Sequence, residues 1–274
     1  MWCFYPTNAT PGTKFPLTPY LHGMDGGGFD LFAYAELFGQ MSSFGMLVCG
    51  TYSCNMGCQD AHKASNARWT SCGGLPPLAP LGMGWDAYYA EAFKIIDWAR
   101  NATAAGDSDP FFSMIDWDAG VGVVGHSMGG QGAAQAATGT CPQQWGVRAA
   151  VLHHPANGQL PWGNIGENMS IPVAGYTSSG DSIWPETQAI MNAFNKSGLP
   201  AAYRNEEGWS HLEPILWPPC ENPLLASYTV AWLKAFLKGQ DPDGAWKRLV
   251  FGSPTDQSTL CGHAKMAQCY AVNG

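Results

Sequence analysis

The stretch 121-VGVVGHSMGGQGAAQAATG-139 constrains this chain more than any other. A short apolar run leads into a serine set between glycines, and small helix-compatible residues follow. Such an order predicts a buried strand, a sharp turn and a helix. Gly125-His126-Ser127-Met128-Gly129 fits G-x-S-x-G, in which the serine occupies a strained strand-to-helix turn with its hydroxyl exposed. Flanking glycines remove side chains that would clash there. Five residues alone carry little weight, since Gly and Ser are common. The apolar strand before and the helix after are what the motif demands. The plain alternative is a tight turn with a bystander serine.

Around this stretch strands and helices alternate. Residues 15–23 read as a strand feeding a glycine-rich loop, 30–45 as a helix stopping at Gly45, and 46–54 as a buried strand. Segment 55–84 is rich in Gly, Pro and Ser without a clear period and reads as a long loop. A helix over 86–100, with Asp86 as N-cap candidate, precedes strand 120–125 and the helix from Gly129. Strand 147–155 and loop 156–170 follow. Next come strand 171–179, helix 185–198 with Pro185 in its first turn, strand 200–207 and a last helix over 224–239. Residues 240–274 are polar and irregular and read as an ordered tail. This alternation predicts an α/β class: a mostly parallel sheet with helices on both faces. No linker or internal repeat divides it, so 1–274 is expected to form one domain. No insertion between strands 147–155 and 171–179 suggests a large lid.

Composition narrows the partners. Net charge is −8 and no Lys/Arg run is present, which argues against nucleic acid. No apolar run approaches the ~20 residues that span a bilayer. Met1-Trp2-Cys3-Phe4-Tyr5 lacks a basic n-region and a long apolar h-region, and reads as strand interior rather than a signal peptide. Cysteines number nine, at positions 3, 49, 54, 58, 72, 141, 220, 261 and 269. Such a count suggests an oxidising compartment. Sequons at Asn8, Asn101, Asn168 and Asn195 point the same way, so a secreted protein is expected. Cys261 with Cys269, and pairings among Cys54, Cys58 and Cys72, are the disulfides expected. The odd count leaves at least one thiol free or paired between chains.

A serine hydroxyl is a poor nucleophile near neutral pH and needs a base oriented by an acid. With this elbow the chain order is Ser, acid, His. After Ser127 come Glu167, Asp181, Glu186, Glu206 and Glu207, and only Asp181 follows directly on an expected strand, in 175-GYTSSGDSIWP-185. Glu186 sits in a helix first turn, where compensating the dipole is its ordinary task. Glu206 and Glu207 close the last strand and are the runners-up. For the base, His211 in 207-EGWSHLEP-214 lies in a loop that can return over the serine, whereas His263 lies in the tail. His22 and His126 come too early in the chain. His153-His154 end the strand after the elbow and read as site lining or as structure. An oxyanion needs two backbone donors: the N–H of Met128, just after the serine, and one from 22-HGMDGGG-28, for which Met24 is chosen.

These residues resemble those of the lidless cutinases and polyester hydrolases of the α/β-hydrolase superfamily. Chlorophyllases and dienelactone-hydrolase-like proteins are more distant relatives. GHSMGG is the elbow common in those cutinases, Gly180-Asp181-Ser182-Ile183 resembles the acid loop, and Trp209-Ser210-His211 resembles the base loop. Residues 227-SYTVAWLKAFLKG-239 look like the family's last helix, which a two-cysteine tail follows there too. The likeness runs from about Phe4 to Cys269. It implies the α/β-hydrolase fold, Ser127, Asp181 and His211 as triad, and Met24 and Met128 as oxyanion donors. It also implies a monomer that needs no cofactor or metal and hydrolyses hydrophobic or polymeric esters. A chlorophyllase-like, lipase-like or feruloyl-type esterase on a small bulky ester is the alternative. His154, Ile183, Trp184 and Trp209 are the substrate contacts expected. Departures exist: family members often carry an aromatic residue at Met24 and a Trp where His153-His154-Pro155 stands here, and Trp184 and Trp209 are not typical. The Cys-rich 54–72 segment is closer to chlorophyllase-like proteins.

Two other classes compete. Cys54, Cys58, His62 and Cys72 could supply four zinc ligands, although the spacing departs from the usual C-x2-C forms. A binding protein that kept the fold without catalysis would be expected to have lost a triad member, and all three are present.

Overall fold

The computed structural model describes residues 1–23, 30–50, 72, 90–156, 165–215, 223–263 and 265–274. Among them eight strands form one sheet. They are β1 (Trp2–Phe4), β2 (Leu17–Leu21), β3 (Leu47–Gly50), β4 (Val121–His126), β5 (Val147–His153), β6 (Val173–Ser178), β7 (Ala201–Glu206) and β8 (Met266–Val272). Across the sheet the order is β1-β3-β2-β4-β5-β6-β7-β8. The six inner strands pair in parallel, while β1 and β8 run antiparallel to β3 and β7 at the two edges. The parallel centre explains the near-continuous apolar runs of the sequence, because its strands are covered on both faces.

Helices provide that cover, and alternation along each strand divides the core in two. Val123 faces the layer of α3 (Ala90–Ala105), α5 (Met128–Ala136) and α7 (Trp184–Asn195), together with Phe93, Ile96, Met191 and Phe194. Its neighbour Val124 faces α2 (Ala35–Ser43) and α8 (Pro223–Phe236), with Phe38, Met41, Leu225 and Trp232. Short α1 (Asp30–Ala33), α4 (Pro110–Ser113) and α6 (Cys141–Trp145) complete the connections described before α7. From β2 the chain goes to β3 on one side, and β4 then lies on the other. The strand order therefore reverses between β2 and β4, and in open α/β sheets ligands usually lie at the carboxyl ends of the strands beside such a switch point.

Several expectations are corrected. The helix over 30–45 is two helices that meet at Tyr34, and the helix over 86–100 is described from Ala90 and continues to Ala105. The tail is not irregular: it holds α9 (Ala245–Phe251) and β8, whose residues pair from Ala201↔Val272 to Glu206↔Met266. Strand β8 is only partly buried, so its existence depends on the open edge of β7 more than on any apolar run of its own. Among the described residues three disulfides join Cys3 to Cys49, Cys72 to Cys141 and Cys261 to Cys269. The last is as expected. Cys72, however, pairs with Cys141, where Thr140 at the head of α6 donates hydrogen bonds from its N–H and its hydroxyl to the Cys72 carbonyl and brings the two segments together. Cys72 is thereby removed from the zinc set. Cys54, Cys58, His62 and Cys220 lie outside the described residues.

Helix α5 approaches the sheet so closely that all nine of its residues are buried. Small residues are what allow this. A Cβ on Gly125 would overlap the Gly129 carbonyl, and one on Gly129 would overlap the carbonyls of Leu21 and His22. Gly125→Ala and Gly129→Ala should each cost roughly 1–3 kcal/mol by overpacking. Thermal unfolding followed by circular dichroism should show a Tm lower by at least about 2 °C for each; an unchanged Tm would refute this account of the elbow.

Candidate active site

The elbow places Ser127 where the sequence requires it. Its backbone is left-handed, with φ 56° and ψ −119°. Such strain costs a non-glycine residue on the order of 1–3 kcal/mol and persists only where the surroundings over-determine it. Here the Ser127 N–H donates to the His153 carbonyl at 2.9 Å, and its own carbonyl accepts from Gln131 and Ala156. With the backbone fixed, Oγ stands at the carboxyl end of β4 and at the head of α5. Met128 is the first residue of that helix, where N–H groups have no intrahelical acceptor and the dipole favours negative charge.

The three residues singled out from the sequence meet there. Ser127 Oγ lies 2.8 Å from His211 Nε2, and His211 Nδ1 lies 2.9 Å from Asp181 Oδ2. Since a carboxylate only accepts, Nδ1 of His211 carries the proton, and Nε2 is left to accept from the serine hydroxyl. Asp181 is buried, whereas the His211 side chain is 31% exposed, so the carboxylate is shielded and the imidazole faces solvent. Asp181 follows β6, and its Oδ1 accepts from the Ile183 N–H at 2.9 Å. His211 belongs to the loop after β7. That loop is pinned by Ser178 Oγ, which donates to the Trp209 carbonyl, and by Gly180, which packs against the same carbonyl.

Two histidines not proposed as base turn out to hold the site. His126 donates from Nε2 to the His211 carbonyl at 2.7 Å, and its Nδ1 lies 2.6 Å from Tyr34 Oη. A carbonyl cannot donate, so Nε2 bears the proton and Tyr34 donates to Nδ1. Tyr34 Oη in turn accepts from the Gly23 N–H at 3.0 Å. Burial, with His211 and His154 nearby, holds His126 well below the usual histidine range and keeps it neutral. A single chain of hydrogen bonds thus joins the loop after β2, the elbow and the base loop. His153 is a core residue, 2.8 Å from Thr229 Oγ1, and burial lowers it to about 3.

His154 is fully buried, so it offers no surface to a substrate and differs from the contact expected. Its Nδ1 lies 2.8 Å from Asp181 Oδ2 and its Nε2 lies 2.9 Å from Glu213 Oε2. Glu213 also accepts from Arg204 at 2.6 Å, and Arg204 pairs with Glu206 at 3.0 Å. Glu206, a runner-up acid, therefore belongs to this pairing and sits 3.6 Å from His263. Sequence reading missed Glu213 and the part played by Arg204. The available signal was a charge in the middle of the apolar strand 200-PAAYRNEE-207, which a parallel strand tolerates only when paired. Ile183, Trp184 and Trp209 are half-buried around the acid and base, and Leu212 is 46% exposed beside His211. Met24 lies outside the described residues. His154, Asp181 and His211 bring ligand atoms close enough together to hold a metal ion, but hydrogen bonds among them account for the cluster.

These charges make stability depend on pH from both sides. Burial alone would raise Asp181, but hydrogen bonds from His154, His211 and the Ile183 N–H outweigh it and hold the carboxyl well below the usual range. Glu213 is likewise lowered to about 2, against burial, by Arg204 and His154. Burial would lower His154, but Asp181 and Glu213 overcome it and raise the imidazole above 6.5. The carboxylate contribution is complete above about pH 4.5 and lost as pH falls; that of His154 is complete below about pH 6.5 and lost as pH rises through its folded value. Thermal unfolding across pH should give a highest Tm between about pH 5 and 6.5, with a decline on both sides that Glu213→Gln flattens. A Tm that climbs steadily from about pH 6 to 9 would contradict the assignment.

A family model described as PET hydrolase-like matches residues 90–270. Bis(hydroxyethyl) terephthalate hydrolase of Streptomyces coelicolor is 29% identical over 144 residues, covering 51% of this chain and 41% of that protein. Cutinase 1 of Thermobifida cellulosilytica is 27% identical over 136 residues, covering 49% and 46%. The cutinase of Thermobifida fusca is also 27% identical over 136 residues, covering 49% and 40%. The matched stretch spans less than half the length of each relative. The family match takes in more than half of the chain, from α3 through the elbow, acid and base loops to the edge strand β8: the chain belongs to the PET hydrolase-like family.

Proposed function

We propose that the chain is a serine carboxylic-ester hydrolase acting through an acyl-enzyme on hydrophobic or polymeric esters. One observation carries this reading: the 2.8 Å and 2.9 Å contacts that link the Ser127 hydroxyl, the His211 imidazole and the buried Asp181 carboxylate on a strained elbow. His211 takes the serine proton as Oγ attacks the ester carbonyl, and returns it to the departing alcohol. Water then repeats the sequence on the acyl-enzyme. Asp181 holds the imidazole in the reactive tautomer and stabilises the imidazolium that forms. The Met128 N–H and that of Met24 are proposed as oxyanion donors, each worth on the order of 3 kcal/mol in such sites.

The substrate class is supported by the family and by the relatives, whose names record a terephthalate ester and cutin. Locally it is supported by half-buried Trp184, Trp209 and Ile183 with exposed Leu212, an apolar border beside a solvent-facing base. Three disulfides among the described residues support a secreted protein working outside the cell. All described strands joining one sheet supports reading 1–274 as one domain. No helix of the described residues is long and apolar enough to cross a membrane.

The test is a substrate panel of short nitrophenyl esters, long acyl esters, an aromatic polyester film and chlorophyll, run with wild type and Ser127→Ala. The variant should lose at least about 10³-fold in kcat on every ester the wild type hydrolyses. Equal hydrolysis by both proteins would end the triad reading. Trp184→Ala and Trp209→Ala should raise KM on the film or on bulky esters while leaving short esters unaffected.

A further inference from the structure

A second imidazole shares the acid of this site. Asp181 Oδ2 faces both His211 Nδ1, at 2.9 Å, and His154 Nδ1, at 2.8 Å. The other ring nitrogen of His154 faces a second carboxylate, Glu213, at 2.9 Å. Carboxylates only accept, so both nitrogens of His154 donate and the ring is an imidazolium. Its backbone is also forced. His154 has φ 46°, and its N–H donates to the Tyr176 carbonyl at 2.7 Å. A strained, wholly buried histidine between two acids is a built device, because an unpaired buried charge would be costly.

The groups around it show what it does. Among the described residues, around His154 stand Asp181 from the loop after β6, His211 and Glu213 from the loop after β7, and Arg204 on β7 behind Glu213. Glu206 lies beyond Arg204, with His126 at the end of β4 and the adjacent His153. Burial holds the last two neutral. The His154 and His211 rings meet edge to face, 5.7 Å apart between centroids, and the Asp181 carboxylate is bonded to both.

We propose that His154, held as an imidazolium between two carboxylates, is a positioning residue that anchors Asp181 toward His211. This rests on the triad reading above and deepens it. Bonded by both rings, Asp181 Oδ2 keeps its place as His211 takes up and returns the serine proton.

Two measurements test it. Isotope-labelled histidine in the intact wild-type protein should give, at about pH 8, one imidazolium with protons on both nitrogens, a state an ordinary histidine has left by then, and His154→Gln should lack it. In His154→Gln kcat on a soluble nitrophenyl ester should fall roughly tenfold or more with KM unchanged. His154→Gln/Glu213→Gln, which removes both charges together, serves if the single variant does not fold, and its kcat should fall likewise. No imidazolium at about pH 8, or a kcat unmoved in the folded variant, would overturn the proposal. Ser127→Ala separates the two readings: if it stays active the triad is wrong, whereas an inactive Ser127→Ala beside an unmoved kcat in the His154 variant removes only the role of His154.

Discussion

Ser127 holds a left-handed backbone, and the site can exist only while helix α5 lies almost against the sheet behind it. The approach is set by missing side chains: Gly125 and Gly129 leave room for each other and for the carbonyls at the end of β2. Two consequences follow from the same contact. It sets Oγ at the carboxyl end of the sheet, where the strand order switches between β2 and β4, and it brings the first N–H groups of a helix to the same point. Strain at Ser127 is thus the local cost of placing a hydroxyl beside a helix N-terminus, and the packing of α5 across both neighbouring strands sustains it.

Around the elbow, buried polar groups do the fixing that apolar packing cannot. Two chains of hydrogen bonds converge on the base loop. One is neutral, from Gly23 through Tyr34 and His126 to the His211 carbonyl. The other is ionic, from Arg204 through Glu213 and His154 to Asp181. The neutral chain fixes the backbone of His211, and the ionic chain fixes its partner. Both are buried, where an unsatisfied member would be destabilising, so each link holds the next.

Much of this was legible in the sequence because it is local. The elbow, the strand that feeds it and the helix after it lie in one stretch of nineteen residues, and chain order together with position just after an expected strand separated Asp181 from the other acids and His211 from the other histidines. What escaped was set at long range. Strand β8 is written weakly because β7 templates it. The pairing of Cys72 with Cys141 spans 69 residues and follows from where α6 docks, not from spacing. His154 looked like lining because a histidine at a strand end looks the same whether it faces a groove or an acid. Only the return of the loop bearing Glu213 decides between them.

The two rims of the sheet carry a last consequence. Strand β1 has only three residues, and its Cys3 is bonded to Cys49 directly across the ladder of β3. At the opposite rim Cys269 on β8 is tied back to Cys261. Short rim strands detach most readily, and the backbone groups they leave bare are templates for self-association. The covalent ties therefore act as selvedges. Under reducing conditions fraying would begin at these margins and appear as clumping, while the centre of the sheet stayed intact.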